Sequence, residues 1–114
     1  MADECIFCAI FRGDIPADVV HRADGFLAFR DVAPKAPTHV LVIPERHVAS
    51  MSDVGGLTAA ERSDMLLFIA EVARREGLES GGYRVTANHG ADALQSVFHL
   101  HWHVLGGATL SQSM

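Results

Sequence analysis

The stretch HLHWHVL at residues 99–105 decides how this chain folds, because histidine and apolar residues alternate along it. Side chains of a β-strand point alternately to its two faces. His99, His101 and His103 are therefore predicted to share one face, in steps of about 6.5–7 Å. The other face carries Leu100, Trp102 and Val104. We expect this apolar face to lie on the core of the protein and the strand to span residues 97–105.

Three imidazoles in strict alternation leave three interpretations open. The first is a half-exposed strand face of hydrogen-bonded histidines. The second is a metal site, because neutral imidazole nitrogens bind Zn²⁺ or Fe²⁺. The third is nucleophilic catalysis at phosphorus, because imidazole has a pKa of about 6.5 and its neutral form carries a free lone pair.

Apolar periodicity and turn residues predict the remaining elements. They are a short helix over 5–11, hairpin strands over 19–22 and 26–29 around Asp24 and Gly25, a central strand over 39–43, a long helix over 58–76 that begins with a capping box, and a strand over 83–88. Together they predict an α+β fold with a five-stranded antiparallel sheet, one long helix and one short helix. We expect a single domain over residues 1–114.

The long helix has an apolar stripe that is wider than one packing face needs. The regular positions of this stripe are Met65, Phe68, Ile69 and Val72. Leu66 and Leu67 extend the stripe around the helix. Two interpretations remain open: the helix is deeply buried in its own domain, or it packs on the sheet and also on a second subunit.

The composition argues against several classes of protein. Nine Lys and Arg residues against 14 Asp and Glu residues give a formal charge of −5, which disfavours binding to the phosphate backbone of nucleic acids. No apolar run reaches the ~20 residues that a membrane helix needs, and the acidic start does not look like a signal peptide. We therefore expect a cytoplasmic protein with neither a nucleic-acid nor a membrane partner.

Cys5 and Cys8 have the Cys-x-x-Cys spacing of half a zinc site. A structural zinc ion takes four ligands, so two more must come from elsewhere, and the seven histidines are the obvious donors. Two reduced, partly buried thiols and a redox pair are the alternatives.

The stretch at residues 99–105 resembles the His-φ-His-φ-His-φ-φ signature of the histidine-triad (HIT) family, in which φ is an apolar residue. The Hint-like branch of that family is the most similar. The resemblance extends over residues 5–107 and includes segments at 27–31, 36–44, 82–84 and 95–97 in the same order and spacing.

This resemblance implies a hydrolase that cleaves the P–N bond of nucleoside 5′-phosphoramidates through a covalent nucleotidyl-histidine. His101 would be the nucleophile, and His103 would bind phosphate oxygens and help to transfer protons. Ser96 would contact the leaving group or a phosphate oxygen, and His39 would orient the triad. No organic cofactor is implied.

The resemblance also implies residues that bind the purine nucleotide, an AMP or GMP moiety. Asp31 would accept hydrogen bonds from both ribose hydroxyls, although a turn residue after a strand is the simpler interpretation. Phe29 and Leu41 would flank the base. Asn88 would contact phosphate or ribose, or would simply end its strand. Gln95 belongs to the loop whose backbone N–H groups would contact the phosphate.

For the cysteine pair, the resemblance implies a structural zinc site completed by His47 and His99. It further implies a homodimer that pairs the long helix and the strand after it. Ala93 and Leu94 depart from the family, which has glycine at both positions, and the backbone is expected to approach phosphate less closely there. The competing classes are a nucleotide-binding or protein-interaction module with little turnover, a dinucleoside polyphosphate hydrolase, and a metal-dependent hydrolase with three histidine ligands.

Overall fold

Residues 5–112 are described by a computed structural model of the chain. The helices are α1 (Ile6–Arg12) and α2 (Ala59–Arg75), and the strands are β1 (Val19–Ala23), β2 (Phe26–Arg30), β3 (Thr38–Pro44), β4 (Tyr83–Thr86) and β5 (Trp102–Gly106). Short 3-10 turns occupy Met51–Gly56 and Ala91–Ala93. None of the helices within residues 5–112 is long and apolar enough to cross a lipid bilayer.

The five strands form one antiparallel sheet in the order β1-β2-β3-β5-β4. This confirms the predicted α+β fold with its five-stranded antiparallel sheet. The predicted hairpin turn is also present, because Gly25 adopts a φ of 87° between β1 and β2. That left-handed conformation is accessible to glycine without steric penalty.

Helix α2 covers one face of the sheet. Its capping box is formed as predicted: the Thr58 hydroxyl accepts from the Glu61 backbone N–H, and the Glu61 carboxylate accepts from the Thr58 N–H. The buried residues that join helix and sheet include Val40, Val42, Val104, Phe68, Ile69 and Val72. On the other face, α1 packs over one part of the sheet through a second cluster that includes Phe7, Ile10, Phe29 and Leu41.

The wide apolar stripe of α2 is only partly buried. Leu66 is 58% exposed and Leu67 is 67% exposed, so burial within the domain does not account for the whole stripe. Tyr83 and Val85 on the neighbouring edge strand β4 are exposed as well. Both α2 and the edge strand β4 therefore carry exposed apolar side chains.

The predicted strand over 97–105 is too long at its N-terminal end. Strand β5 begins only at Trp102, and residues 97–101 are irregular. The pairing of β3 with β5 ends at Val42 and Trp102, and before it the Leu100 N–H donates to the Val48 carbonyl beyond β3. The backbone carbonyl of His99 bonds a side chain instead of a neighbouring strand. Strand β4 likewise ends at Thr86, two residues before the predicted end.

Candidate active site and metal centre

Helix α1 covers only part of the sheet face on which it packs. A cleft of about 630 Å³ lies over the remaining part of that face. It is lined by Asp31, Lys35, His39, Thr86, Asn88, Ala93, Leu94, Gln95, Ser96, His101, His103 and Leu105. Asp31 follows β2, whereas His39 lies on β3, His103 on β5 and Thr86 on β4. The sheet order therefore brings residues that are far apart in sequence to one surface.

His101 presents a free ring nitrogen to this cleft. Its Nδ1 lies 2.8 Å from the backbone carbonyl oxygen of His99, which can only accept a hydrogen bond. Nδ1 therefore carries the proton, and Nε2 of the neutral ring retains its lone pair. The Phe7 ring packs edge-on against the imidazole with its centroid at 5.0 Å, which restricts the ring orientation.

His39 and His103 form a directed line of hydrogen bonds. The backbone N–H of Lys35 donates to Nδ1 of His39 at 3.1 Å, so the ring proton of neutral His39 lies on Nε2. This Nε2–H donates to Nδ1 of His103 at 2.9 Å, which leaves the His103 proton on its own Nε2. Among the described residues, this Nε2 is the buried side-chain polar atom without a hydrogen-bond partner.

Burial keeps both of these histidines neutral. Loss of hydration lowers the pKa of His103 to about 4, and the neighbouring rings of His101 and His39 act in the same direction. Burial also lowers the pKa of His39, although Asp31 opposes this effect. His39 Nε2 and Asp31 Oδ2 are 3.4 Å apart, but a neutral ring makes this a polar contact and not an ion pair at pH 7.

The predicted metal ligands converge on a second point. His99 Nδ1 lies 3.4 Å from Cys5 Sγ, 3.5 Å from Cys8 Sγ and 3.2 Å from His47 Nδ1. Cys8 Sγ is 3.4 Å from His47 Nδ1. Typical zinc bond lengths in a tetrahedron place sulfur and nitrogen ligands about 3.5 Å apart and two nitrogens about 3.3 Å apart. The cluster is therefore compatible with zinc.

The tautomer of His99 also fits a metal ligand. Its Nε2 lies 2.8 Å from the Pro44 carbonyl and must donate to it, so Nδ1 carries the lone pair that faces the cysteines. Burial lowers the pKa of His99 to about 4, while the bond to Pro44 opposes this shift. The triad histidines therefore do not converge on one ion: His99 belongs to the cysteine cluster, whereas His103 groups with His39 and Asp31.

The other predicted nucleotide-binding residues occupy different environments. Asp31 lines the cleft, and its Oδ1 also accepts from the Ala33 N–H at 2.8 Å, which is the turn role that the sequence left open. Phe29 and Asp31 line a smaller adjoining cavity of about 300 Å³. Leu41 is buried beside Phe29 in the core and, within residues 5–112, lines neither cavity.

Asn88, Gln95 and Ser96 all line the cleft. The Gln95 amide is occupied within the protein: its oxygen accepts from the Gly90 N–H at 2.9 Å, and its nitrogen donates to the carbonyls of Ala49 and Val97. The side-chain amide of Gln95 therefore stabilises the loop through hydrogen bonds within the protein. Ser96 is exposed.

Sequence analysis missed Lys35 and Thr86. Thr86 pairs with His103 across β4 and β5, so strand alternation in the YRVT segment was a usable signal for its facing the cleft. Lys35 lies in an irregular segment between β2 and β3, where no periodic pattern exists. Lys35 contributes its backbone N–H to the histidine line, and such a contact cannot be predicted from the type of residue.

The fold and the site together define a class of protein. An antiparallel sheet has a helix on each face, a histidine-lined cleft and a Cys₂His₂ cluster. The HIT domain model matches residues 12–110. A HIT family hydrolase of known crystal structure from Legionella pneumophila superposes with a TM-score of 0.90 at 40% identity, covering 96% of this chain and 97% of that one. The chain belongs to the HIT domain family.

Two relatives of known name are similar over most of the chain. Purine nucleoside phosphoramidase of Escherichia coli K12 is 40% identical over 110 residues, which cover 96% of this chain and 92% of that protein. A 14 kDa zinc-binding protein of Zea mays is 43% identical over 112 residues, which cover 93% of this chain and 84% of that protein.

The free energy of unfolding should fall as the pH is lowered, because burial lowers the pKa of His103. A histidine in the unfolded chain titrates near its ordinary pKa of about 6.5, whereas the pKa of folded His103 is about 4. Between these values the unfolded chain binds more protons, so the free energy of unfolding falls as the pH is lowered through this window. His103→Gln should remove about 1 kcal/mol of the loss between pH 7 and pH 5.5.

Urea unfolding at the two pH values measures this difference. The metal cluster contributes equally to both proteins, so the comparison measures residue 103 together with its interactions with His39 and His101. Identical pH dependence in the wild type and in His103→Gln would contradict the neutral, buried state of this ring.

Proposed function

We propose that this protein hydrolyses nucleoside 5′-phosphoramidates to a nucleoside monophosphate and an amine. The observation that carries the proposal is the Nδ1–H hydrogen bond of His101 to the His99 carbonyl, which leaves Nε2 as a nucleophile in the cleft. The name of the Escherichia coli relative supports the same reaction class.

In the first step, Nε2 of His101 attacks the α-phosphorus while the bond to the leaving amine breaks. The amine nitrogen takes up one proton from bulk solvent as it departs, and the exposed Ser96 hydroxyl at the cleft relays it. In the second step, water attacks the nucleotidyl-histidine, the P–N bond to His101 breaks, its lone pair returns and the proton of the water passes to bulk solvent. The sum is phosphoramidate plus water to monophosphate plus amine.

The unpartnered Nε2–H of His103 is the donor for a phosphate oxygen. A preorganised donor in a shielded site typically contributes about 3 kcal/mol to the transition state. Local donors of this kind are needed because a net charge of −5 supplies no attractive field for phosphate. His39 acts as a positioning residue, since its hydrogen bond to Nδ1 fixes the proton of His103 on Nε2.

At the other end of the substrate, Asp31 accepts hydrogen bonds from the ribose hydroxyls. One of its oxygens accepts from the Ala33 N–H, and each carboxylate oxygen has more than one lone pair, so the turn and the ribose role are compatible. The adjoining cavity lined by Phe29 takes the purine base, with Leu41 behind it in the core. Asn88 contacts ribose or phosphate from the segment that follows β4.

His101→Ala should abolish turnover while leaving the fold intact. Loss of the nucleophile should lower kcat at least about 10³-fold, as for other enzymes with covalent intermediates. Adenosine 5′-phosphoramidate is the assay substrate, and rapid-quench mass spectrometry of the wild type should detect a nucleotide adduct on His101. His21→Ala, which changes a histidine stacked on Phe68 outside the cleft, is the control and should retain turnover.

Two results would contradict this assignment. Substantial hydrolysis by His101→Ala would remove the nucleophile. Nucleotide binding without any turnover by the wild type would identify a binding module instead. A dinucleoside polyphosphate tested in parallel distinguishes the phosphoramidase from a hydrolase of that second substrate class.

We also propose that Cys5, Cys8, His47 and His99 hold a structural zinc ion. The ligand separations and the His99 tautomer support this, and the maize relative is named a zinc-binding protein. A closed set of four protein ligands leaves no open position for substrate, so the ion would stabilise the fold without taking part in catalysis. It would join the start of α1 to the segments that follow β3 and precede β5.

Protein purified without chelator should contain about one zinc per chain by elemental analysis. Cys5→Ser should lose most of the metal and several kcal/mol of stability, because metal binding is coupled to folding. Asp14→Ser, an exposed position just after α1, is the control and should bind zinc normally. A zinc content below about a tenth per chain would contradict the site, and hydrolysis abolished at once by chelator in a still-folded protein would favour a metal-dependent reaction.

The exposed apolar surface on α2 and β4 supports a homodimer. Leu66, Leu67, Tyr83 and Val85 are all exposed, and pairing of two such surfaces would bury them. Light scattering at micromolar concentration should give twice the chain mass. Leu66→Glu should give a monomer, whereas Val19→Glu, which changes an exposed residue of the opposite edge strand β1, should not. A wild-type monomer would contradict the proposal.

A further inference from the structure

Leu94 has a backbone conformation that its side chain disfavours. Its φ of 61° and ψ of 33° lie in the left-handed region, and within residues 5–112 it is the non-glycine residue with positive φ. A branched side chain rarely adopts this conformation, and such residues cluster at functional sites. Leu94 is also 85% exposed and lines the cleft, so burial in the core does not explain the side chain.

The surrounding loop holds Leu94 in this conformation. The Leu94 N–H donates to the Ala91 carbonyl at 3.0 Å, and the Gln95 N–H donates to the Gly90 carbonyl at 3.1 Å. The Gln95 side chain then ties the loop to Ala49. The apolar side chain of Leu94 is consequently presented from a hydrogen-bonded loop and not from a free one.

The sheet order shows which part of a substrate would reach this loop. Asp31 extends β2, and the loop that carries Leu94 follows β4, with β3 and β5 between them. Three strand spacings separate the two ends of the cleft by about 14 Å. His103 on β5, with His101 just before that strand, lies between the ends. A nucleotide that places its ribose at Asp31 and its phosphorus at His101 leaves the loop end of the cleft, where Leu94 lies, for the leaving group.

Charge is unevenly distributed along the cleft. Asp31 and Lys35 carry charges at the ribose end. The lining residues at the opposite end are uncharged: Thr86, Asn88, Ala93, Leu94, Gln95 and Ser96. This end therefore offers no counter-ion to a charged leaving group, whereas Ala93 and Leu94 offer apolar surface.

We propose that Leu94 is a specificity-determining residue that selects phosphoramidates whose leaving amine carries an apolar substituent. The inference rests on the proposed function, because it needs the ribose and phosphorus placed as described there. The gain comes from removing apolar surface of both the substituent and Leu94 from water. Its backbone conformation is imposed before substrate arrives, so the contact requires no ordering of the loop on binding.

The test compares two substrates with the same nucleoside: adenosine 5′-phosphoramidate and its N-butyl derivative. The ratio of their kcat/KM values cancels any general effect of a variant on the chemistry. Leu94→Gly and Leu94→Asn both accept the left-handed conformation without the apolar side chain, and each should lower the N-butyl preference about tenfold. Leu94→Met, which keeps an apolar side chain, should retain the preference within about twofold. Circular dichroism and thermal unfolding establish that each variant is folded.

Binding of the same two compounds to His101→Ala proteins, with and without Leu94→Gly, gives a second readout by titration calorimetry. Turnover with an unchanged ratio in both Leu94→Gly and Leu94→Asn overturns the inference and leaves the proposed reaction standing. If the wild type shows no turnover but Leu94→Gly lowers the binding preference for the N-butyl compound, the proposed reaction is overturned and the Leu94 contact is supported. Absence of both turnover and binding overturns both.

Discussion

The carbonyl groups at Pro44 and His99 determine the chemistry of this protein. Each accepts a hydrogen bond from one imidazole nitrogen, and each thereby decides which nitrogen of that ring keeps its lone pair. The bond from His99 to Pro44 turns a lone pair towards the cysteines, and the bond from His101 to His99 turns one into the cleft. Because carbonyls cannot donate, neither ring can change its tautomer without breaking a buried hydrogen bond. One irregular segment before β5 therefore separates the proposed metal ligand His99 from the proposed nucleophile His101, two residues away.

Burial has opposite consequences at the two faces of the sheet. Beneath α2 it simply removes apolar side chains from water. Beside the cleft it makes the charged form of imidazole unfavourable, so His103 remains a neutral hydrogen-bond donor at pH 7. In the proposed reaction, this acidic chain would therefore bind an anionic substrate through oriented N–H groups and neutral imidazole rings. The end of the cleft beside Leu94 is lined by uncharged residues, so shape and apolar contact can select a ligand there.

The sequence predicted the fold class, the hairpin and the capping box from local signals: alternation, turn glycines and capping residues. Spacing alone marked Cys5 and Cys8 as half of a metal site. The resemblance to the HIT family supplied His47 and His99, which lie beside the two cysteines in the structure. Alternation also placed Leu100, Trp102 and Val104 correctly against the core. It failed for the start of β5 and the end of β4, where strand pairing stops at Trp102 and at Thr86. Just before β5 the Leu100 N–H donates to the Val48 carbonyl, a bond between residues far apart in sequence that alternation does not reveal. The Lys35 N–H, the Gln95 amide contacts and the left-handed Leu94 also depend on tertiary structure, and no residue type signals them.

The line from Lys35 through His39 to His103 has one further consequence. A backbone amide does not release its proton at neutral pH, so the line starts with a permanent donor and runs in one direction only. Nε2 of His103 therefore already carries a proton, so it donates hydrogen bonds and cannot act as a base. In the proposed reaction, the water that cleaves the intermediate must give up its proton elsewhere, by way of a phosphate oxygen or directly to bulk solvent. Asymmetry in a single peptide group thus restricts the order in which protons can move through the whole reaction.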